Sequence, residues 1–456
     1  MSKLLGEISE FFLNGFADNM LYRITKDKYT DNLMVAAPII SKLSLIPGLE
    51  LMMRAVQGEP LERPLGSYRR MSPWEQLMLN PVHLHRLPTP DPKTMDTAVT
   101  IGPRAERPLQ LKIPIAISGM SYGTALAKKV KIALAKAANL VGTATNTGEA
   151  GLMKEERETA LKLIGQYNRG GYLNTPEKYM QLDAIEIQLG QGAQGAAPQR
   201  FEARFIDEEM REVFELEKGQ DALLHSRVPD MQNYEQFQKR IKELREETEV
   251  PVGVKFSGTH FLEKEIELAV EAGVDFIVVD GAEGGTHAAA PTLEDDLGLP
   301  TIYCISRAHR HLQRLGVRSN ITLIAAGGLL HPGQFLKALA LGADVVYIAT
   351  AALVAMVAPQ FEKVLPWEPP MQMILHANKL NHKFNIEKAV KGLNNYLQLS
   401  LQEMVFVLYT LGKKSTRELS ADDLCCLDPN LARTLGIQYA GVSPEEQSSF
   451  FNGYPF

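Results

Sequence analysis

Cysteine is scarce in this sequence. Only three occur among 456 residues, namely Cys304 and the adjacent pair Cys425 and Cys426. This number excludes a disulfide framework, and the positions do not provide the separated thiolates of a zinc site or an iron–sulfur cluster. We therefore expect a protein of the reducing cytoplasm, without a metal site.

The sequence also lacks an excess of positive charge and a long uninterrupted hydrophobic run. The 48 Lys and Arg residues are interleaved with 54 Asp and Glu residues, and the net charge is −6. This balance excludes the basic surface that binds nucleic acid. Prolines and charged residues interrupt the longest apolar region, residues 33–56, so we expect a pair of core-packing helices there; docking on a membrane or a partner is the alternative.

From residue 113 onward, short apolar runs alternate with charged segments of helical period. Eight buried strands with helical crossovers predict an α/β protein with a (β/α)8 TIM barrel over residues 113–358. We expect an N-terminal helical extension and linker before it, residues 1–112, and a C-terminal helical tail after it, residues 359–456. The eight runs are residues 113–120, 140–148, 170–174, 184–190, 250–258, 274–285, 321–328 and 344–351.

The run at 184–190 continues into the letters G-x-G-x-x-G at Gly190, Gly192 and Gly195. This motif is a weak sign of a dinucleotide-binding turn, which requires a helix starting inside the glycines and an acidic residue at the end of the next strand. Neither is evident here. We interpret the glycines as positions where the backbone approaches a ligand at the mouth of the barrel.

Small residues at the ends of the last two strands indicate what kind of ligand the barrel binds. The turns after the seventh and eighth strands of such barrels often bind phosphate through backbone N–H groups, and "AAGGLLHPG" and "IATAAL" occupy these places. Lys255 ends the fifth strand inside an apolar run, where an unpaired ammonium group would be costly. The pattern therefore predicts a phosphorylated ligand and an anion facing Lys255.

Seven motifs stand at successive strand ends, namely "PIAISGMSYG", "TATNTGEAG", "IEIQLGQGAQG", "VGVKFSG", "VVDGAEGGTHAA", "IAAGGLLHPGQFLKALALGAD" and "ATAAL". In order and spacing they resemble the FMN-binding synthase domain of the glutamate synthase family. The similarity covers roughly residues 90 to 430 and includes the helical segment after the barrel. It implies FMN as cofactor and an oxidoreductase of glutamate-synthase type, in which reduced flavin passes a hydride to an imine or a substrate derived from a 2-oxo acid.

The resemblance also implies roles for individual residues. It places Lys255 beside flavin N1 and O2, Gln191 on the substrate side, and Glu149 near flavin and substrate, where a carboxylate orients an amine or relays protons. For Glu149, capping of a helix that begins near Leu152 is the alternative. The other residues expected to contact FMN are Ser118, Gly119, Met120, Ser121, Asn146, Gly284, Gly285, Thr286, Gly327, Gly328, Ala349 and Thr350.

The sequence departs from the family pattern in three respects. Ser2 stands where the nucleophilic cysteine of a glutaminase domain is expected, so we expect no glutamine hydrolysis by this chain. The clustered cysteines of an iron–sulfur site are absent, so electrons must come from another donor. Gln194 replaces a lysine of the family motif "QGAKPG", and a neutral amide cannot hold a carboxylate as that lysine would.

Other functions remain open at this point. His287 follows the sixth strand, where FMN-dependent 2-hydroxy acid oxidases keep their catalytic base, so it is a fourth candidate catalytic residue. The chain could also be the synthase-like subunit of an amine-transferring complex, such as an N-methylglutamate synthase, or a flavoprotein that scaffolds a partner. The expected partners are a small-molecule substrate and an electron-donor protein or amine-supplying subunit.

Overall fold

The computed structural model describes residues 2–28, 31–32, 45–57, 61, 67–90, 95–285, 289–365 and 367–453. The chain divides into two compact units, residues 1–62 and 63–456. The first unit contains helices α1 (Ser2–Lys26) and α2 (Leu45–Gln57). No helix in the described part of the chain combines the length and apolar character needed to cross a membrane.

The second unit is built around eight parallel strands. They are β1 (Ile115–Ile117), β2 (Thr145–Asn146), β3 (Leu163–Tyr167), β4 (Ala184–Gln188), β5 (Val252–Ser257), β6 (Phe276–Asp280), β7 (Thr322–Ala326) and β8 (Val345–Ile348). Each strand pairs with its neighbours in the order β1-β8-β7-β6-β5-β4-β3-β2. Between β1 and β2 the Ile117 N–H donates to the Ala144 carbonyl at 3.0 Å, which brings the two ends of the sheet together. The predicted α/β barrel is confirmed.

One strand position was wrong. The prediction placed the third strand at residues 170–174, but that segment forms a turn, with the Gly171 N–H bonded to the Asn168 carbonyl. Strand β3 lies earlier, at Leu163–Tyr167, and contains Gly165 and Gln166. These two residues interrupt the apolar pattern that predicts a strand. Gln166 is polar because its side chain faces a buried polar network rather than a hydrophobic core.

Helices follow the strands, and most of them cover the outside of the barrel. They are α3 (Lys128–Val141), α4 (Lys154–Thr159), α5 (Pro176–Tyr179), α6 (Glu208–Phe214), α7 (Tyr234–Glu247), α8 (Leu262–Ala272), α9 (Pro291–Asp296), α10 (Thr301–Arg314), α11 (Pro332–Ala340) and α12 (Thr350–Val357). Their apolar faces pack on the strands, with Val130 and Leu134 of α3 and Ile302 and Ile305 of α10 almost fully buried. This packing forms the main hydrophobic core.

The carboxyl-terminal segment adds three more helices, α13 (Ile386–Thr410), α14 (Pro429–Leu435) and α15 (Gln447–Gly453). One face of the long helix α13 is buried in the same core as α3, through residues such as Leu393, Leu397 and Met404. A small sheet contributed by both ends of the unit, Leu77–Leu79, Leu424–Cys426 and Gln438–Tyr439, joins this segment to the residues that precede the barrel.

The two ends of the barrel are different. A hairpin, Val99–Ile101 paired with Leu109–Leu111, packs in one apolar cluster with Phe276, Val278 and other interior residues, and closes the amino-terminal end. The opposite end carries the βα turns. The longest of these, between β4 and β5, contains helix α6 and a second hairpin, Gln199–Phe201 with Ala222–Leu224. The open end is therefore the place for a ligand.

Candidate active site

A cavity of about 830 Å³ lies at the carboxyl-terminal ends of the barrel strands. Its lining brings together thirteen of the sixteen residues predicted to form the site, drawn from turns that lie far apart in the sequence. They are Ser118, Gly119, Met120, Ser121, Glu149, Gln191, Lys255, Gly284, Gly285, Gly327, Gly328, Ala349 and Thr350. Their proximity follows from the fold, because parallel strands deliver their following turns to one end.

Of the other three predicted residues, the structure describes only Asn146. Asn146 is fully buried behind the cavity, where its Oδ1 accepts the Gly148 N–H at 2.9 Å and shapes the turn after β2. Thr286 and His287 lie outside the described residues, so their roles stay predictions.

The turn after β7 has a conformation that requires its doubled glycine. Gly327 and Gly328 have consecutive positive φ angles of 108° and 66°, which residues with a Cβ rarely adopt. Nearby, helix α12 begins after Ala349 without a side-chain cap, so its first N–H groups remain available to an anion. The first N–H group of α10 already has a partner, because Glu283 Oε2 accepts from both the backbone N–H and the hydroxyl of Thr301 at 2.8 Å.

Lys255 is fully buried inside β5, two residues before the strand ends at Ser257, and not at the strand end where it was expected. It pairs with a carboxylate of the neighbouring strand. Its Nζ lies 3.0 Å from Oδ2 of Asp280, the last residue of β6. Burial by itself would lower the pKa of Lys255, but the negative charges of Asp280 and Glu186 outweigh it and raise this pKa above its ordinary value. The anion predicted to face Lys255 is thus at least in part an internal one.

Glu186 forms the centre of a buried polar network below the cavity. Gln166 Nε2 donates to its Oε1 at 2.7 Å, and the Tyr347 hydroxyl donates to its Oε2 at 3.0 Å. Burial, followed by the charge of Glu186, raises the pKa of Tyr347 well above its usual value, so this phenol stays a donor. The network holds Gln166 against Gly119, where an added Cβ would lie 2.6 Å from Gln166 Nε2.

Glu149 is oriented by an arginine that the sequence did not reveal. Arg169 donates from Nε to Glu149 Oε1 at 2.9 Å and from Nη2 to Oε2 at 3.0 Å, and both side chains are buried. Such a bidentate pair fixes the plane of the carboxylate. The alternative of helix capping is wrong, since α4 begins after Met153 and has no side-chain cap.

Gln191 belongs to a series of three amides that starts at Gln188, the last residue of β4. Its Oε1 accepts from Gln188 Nε2 at 3.2 Å and its Nε2 donates to Gln194 Oε1 at 3.0 Å. The side chain predicted to face the substrate is therefore held from both ends.

A second buried lysine, Lys131 of helix α3, joins the turns after the first two strands. Its Nζ donates to the carbonyls of Met120 and Asn146 at 2.7 Å and of Thr147 at 3.2 Å, and lies 3.0 Å from Glu156 Oε1. The sequence offered one sign of this role, since Lys131 lies next to Val130 on the otherwise apolar face of its helix. Its partners are set by the tertiary fold alone.

Fold and site together define a class, an enzyme built on a (β/α)8 barrel with a glycine-lined cavity and a buried lysine at the open end. The model for the conserved region in glutamate synthase matches residues 68–414, and the chain belongs to the glutamate synthase family. A glutamate synthase large subunit-like protein of Rhizobium meliloti is 33% identical over 401 residues, which cover 84% of this chain and 90% of that protein. An archaeal-type glutamate synthase [NADPH] of Thermotoga neapolitana is 32% identical over 339 residues, 73% of this chain and 67% of that protein.

These relatives confirm the resemblance to the family, and with it the expected class, an FMN-dependent oxidoreductase of glutamate-synthase type. Among solved structures, a double mutant of flavocytochrome b2 with bound sulfite gives a TM-score of 0.51 at 17% identity. The match covers 84% of this chain and 82% of that one. At this identity it supports the barrel fold alone.

Proposed function

We propose that the cavity binds FMN and that the chain uses it to reduce an imine, or a substrate derived from a 2-oxo acid. The observation that carries the proposal is the meeting, in one cavity, of the glycine turn at Gly327 and Gly328, the uncapped start of α12 and the buried Lys255. In this proposal the phosphate binds at the glycine turn, and the flavin ring lies against the turns of Ser118–Ser121 and Gly284–Gly285.

The residues present fit such a ligand. A Cβ at Gly119 would fall 2.6 Å from Gln166 Nε2, and one at Gly284 would fall 2.3 Å from Asp280 Oδ1, so these glycines let the two turns pack directly against Gln166 and Asp280. Oδ1 of Asp280 is buried and finds no hydrogen-bond partner among the described residues. It is available to accept a hydrogen bond from a bound ring.

Bound FMN would supply the hydride at its N5 atom. The residues of the chain would supply charge and orientation. Lys255 provides a fixed cation that stabilises negative charge on a bound ligand. Glu149, whose plane Arg169 fixes, has lone pairs left to accept a hydrogen bond from an amine or iminium group, and Gln191 presents one remaining N–H and one remaining lone pair.

Partners and location are part of the same proposal. The sequence has no clustered cysteines for an iron–sulfur centre, which supports an electron-donor protein, and an amine-supplying subunit is the second candidate partner. The low cysteine content supports a cytoplasmic protein. The substrate itself is a small molecule.

The test is anaerobic reduction of the purified protein, followed by rapid mixing with 2-oxo acids in the presence and absence of ammonium or small amines. We expect a flavin spectrum in the isolated protein and fast reoxidation by one combination of acid and amine. A colourless protein that takes up no FMN on incubation would refute the proposal. Reoxidation that occurs only after partner chains are added would assign the protein to a multi-chain complex.

A further inference from the structure

The glutamine ladder, formed by Gln188, Gln191 and Gln194, has one fixed direction. Gln188 donates to Gln191, Gln191 donates to Gln194, and Gln194 Nε2 donates to the backbone carbonyl of Ala197 at 3.3 Å. A carbonyl oxygen can only accept, so the last amide cannot be flipped, and each earlier amide is fixed by the next. Gln191 lines the cavity, and the buried Gln188 and Gln194 on either side of it fix its orientation. The ladder therefore presents one neutral, oriented amide to the cavity and keeps two more neutral amides directly behind it.

The cations next to the ladder are already neutralised. Arg169 Nη1 donates to the same Ala197 carbonyl at 3.1 Å, but its Nε and Nη2 are bound to Glu149. Lys255 is the register partner of Gln188 on the adjacent strand, and it is paired with Asp280.

Glu186 adds a further buried carboxylate two residues before Gln188. Around the ladder, the described residues thus place three carboxylates, Glu149, Glu186 and Asp280, against two cations, Arg169 and Lys255. Next to the ladder, a further carboxylate brought by a ligand would meet an excess of negative charge. The cavity is also lined by Arg69, Arg70 and Lys337, which come from other segments; Arg69 pairs with Asp296, and Lys337 donates to the Trp74 carbonyl.

The hairpin of the long βα turn adds an apolar wall to the same cavity. Phe201 and Leu224 line it together with Tyr172. The Tyr172 hydroxyl donates to the Leu223 carbonyl at 2.8 Å and accepts the Leu223 N–H at 2.6 Å, so the hydroxyl holds the hairpin while the ring stays apolar surface. Phe214 packs on that ring with 4.6 Å between the centroids.

The arginine of this hairpin is engaged on the solvent side. Arg200 lines the cavity, but its side chain is 68% exposed and its Nε donates to Asp221 Oδ2 at 2.6 Å. It is not positioned as a buried partner for a carboxylate beside the ladder.

We propose that the ladder and the apolar wall make this site selective for 2-oxo acids, or their imines, with an uncharged side chain, and that they disfavour dicarboxylates. The inference rests on the proposed function and adds the substrate class to it. All 2-oxo acids share the carboxylate next to the oxo group, so its interactions contribute equally to the affinity of each ligand. Only the second carboxylate of a dicarboxylate would have to lose its water among neutral amides and paired charges.

The test compares three ligands of equal chain length on the FMN-loaded full chain: 2-oxoglutarate, its 5-amide and 2-oxopentanoate. Binding is read from the change in the flavin spectrum and from calorimetry. We expect the uncharged pair to bind roughly tenfold or more tightly than 2-oxoglutarate, about the effect of one charge-assisted hydrogen bond. Tighter binding of 2-oxoglutarate would overturn the inference.

Gln194→Lys places an ammonium group in the ladder, and Gln194→Met is its uncharged control of similar length. We expect the lysine variant to shift the preference toward 2-oxoglutarate by roughly tenfold, and the methionine variant to keep the preference of the unchanged protein. Phe201→Arg, on the half-buried hairpin, tests the same shift if Gln194→Lys does not fold. A folded, FMN-loaded variant with a new cation and an unchanged preference would contradict the inference.

The two proposals fail separately. A protein that binds no FMN would refute the proposed function. A protein that binds FMN and prefers the dicarboxylate would refute only the substrate class.

Discussion

Lys255 and Asp280 face each other across the neighbouring strands β5 and β6, with 3.0 Å between Nζ and Oδ2. Both are buried, so each charge depends on the other for stabilisation. The cation available to a bound flavin is therefore one whose charge is partly balanced by the protein. This pair determines how strongly Lys255 can stabilise an anionic ligand.

Replacing the carboxylate in this pair is expected to favour the reduced cofactor. In Asp280→Asn the shape is kept, the opposing negative charge is lost, and the pKa of Lys255 falls because one of the groups that raise it is removed. We expect the reduction potential of bound FMN to rise by a few tens of millivolts, where about 30 mV is a tenfold change for a two-electron couple. Potentiometric titration measures it, with Asp422→Asn on the surface as control. A lower potential would contradict the assignment.

The opposite change is expected when the lysine is removed. Lys255→Met should make the flavin harder to reduce and should lower the free energy of unfolding by about 3 to 5 kcal/mol, because Asp280 is left buried without its partner. The double variant Lys255→Met with Asp280→Asn should recover part of that stability but not the potential. Urea unfolding and potentiometry separate the two effects. An unchanged potential would remove Lys255 from the mechanism.

The glycine turn after β7 offers a matched pair of substitutions. Gly327 has a positive φ, and an added Cβ would lie 2.5 Å from Thr301 Oγ1 and 3.0 Å from the Gly281 backbone N. Gly316 also has a positive φ, but nothing lies within 4 Å of its Cβ position. We expect Gly327→Ala to weaken FMN binding at least roughly tenfold, while Gly316→Ala costs only about 1 kcal/mol of stability. Equal FMN affinities, measured by fluorescence titration, would disprove the proposed cradle.

Stability at acidic pH should depend on a pair between helices α8 and α10. Arg307 hydrogen-bonds Glu263 and lowers the pKa of this carboxyl from 4.5 to about 2. A lowered carboxyl pKa contributes stability above pH 4.5, and this contribution is lost as the pH falls from 4.5 toward 2. Glu263→Gln should cost about 1 kcal/mol at pH 7, since the pair is partly exposed, and much less near pH 2. Thermal unfolding measures the difference, and Glu217→Gln is the exposed control. A constant cost across this range would be the contrary result.

Much of the fold was predictable because it depends on local patterns. Runs of apolar residues alternating with helical segments gave seven of the eight strands, and glycines at strand ends gave the open end of the barrel. Strand β3 was missed because it contains a buried polar residue, Gln166. This side chain is buried because it bonds Glu186, which lies on another strand. No local pattern distinguishes such a glutamine from one in a turn.

The same reason explains what was missed in the site. The sequence predicts that Lys255 needs an anion, but not that Asp280 provides one, since the two lie 25 positions apart and meet only through strand register. Arg169 reads as part of a polar loop, although it is fully buried against Glu149. The sequence shows directly which residues are charged. Which of these charges pair with one another in the interior is decided by the tertiary fold.

The ammonium group of Lys131 lies at the junction between the first and last strands in the sheet order of the barrel. Strands β1 and β2 are the two ends of the sheet order, and the lysine joins the segments that follow them through the carbonyls of Met120 and Asn146. A gap at this seam would expose unpaired strand edges, the usual starting point of aggregation between chains. We therefore expect the buried Lys131–Glu156 pair to help keep this junction closed, because the two strands themselves are not paired in the sheet order.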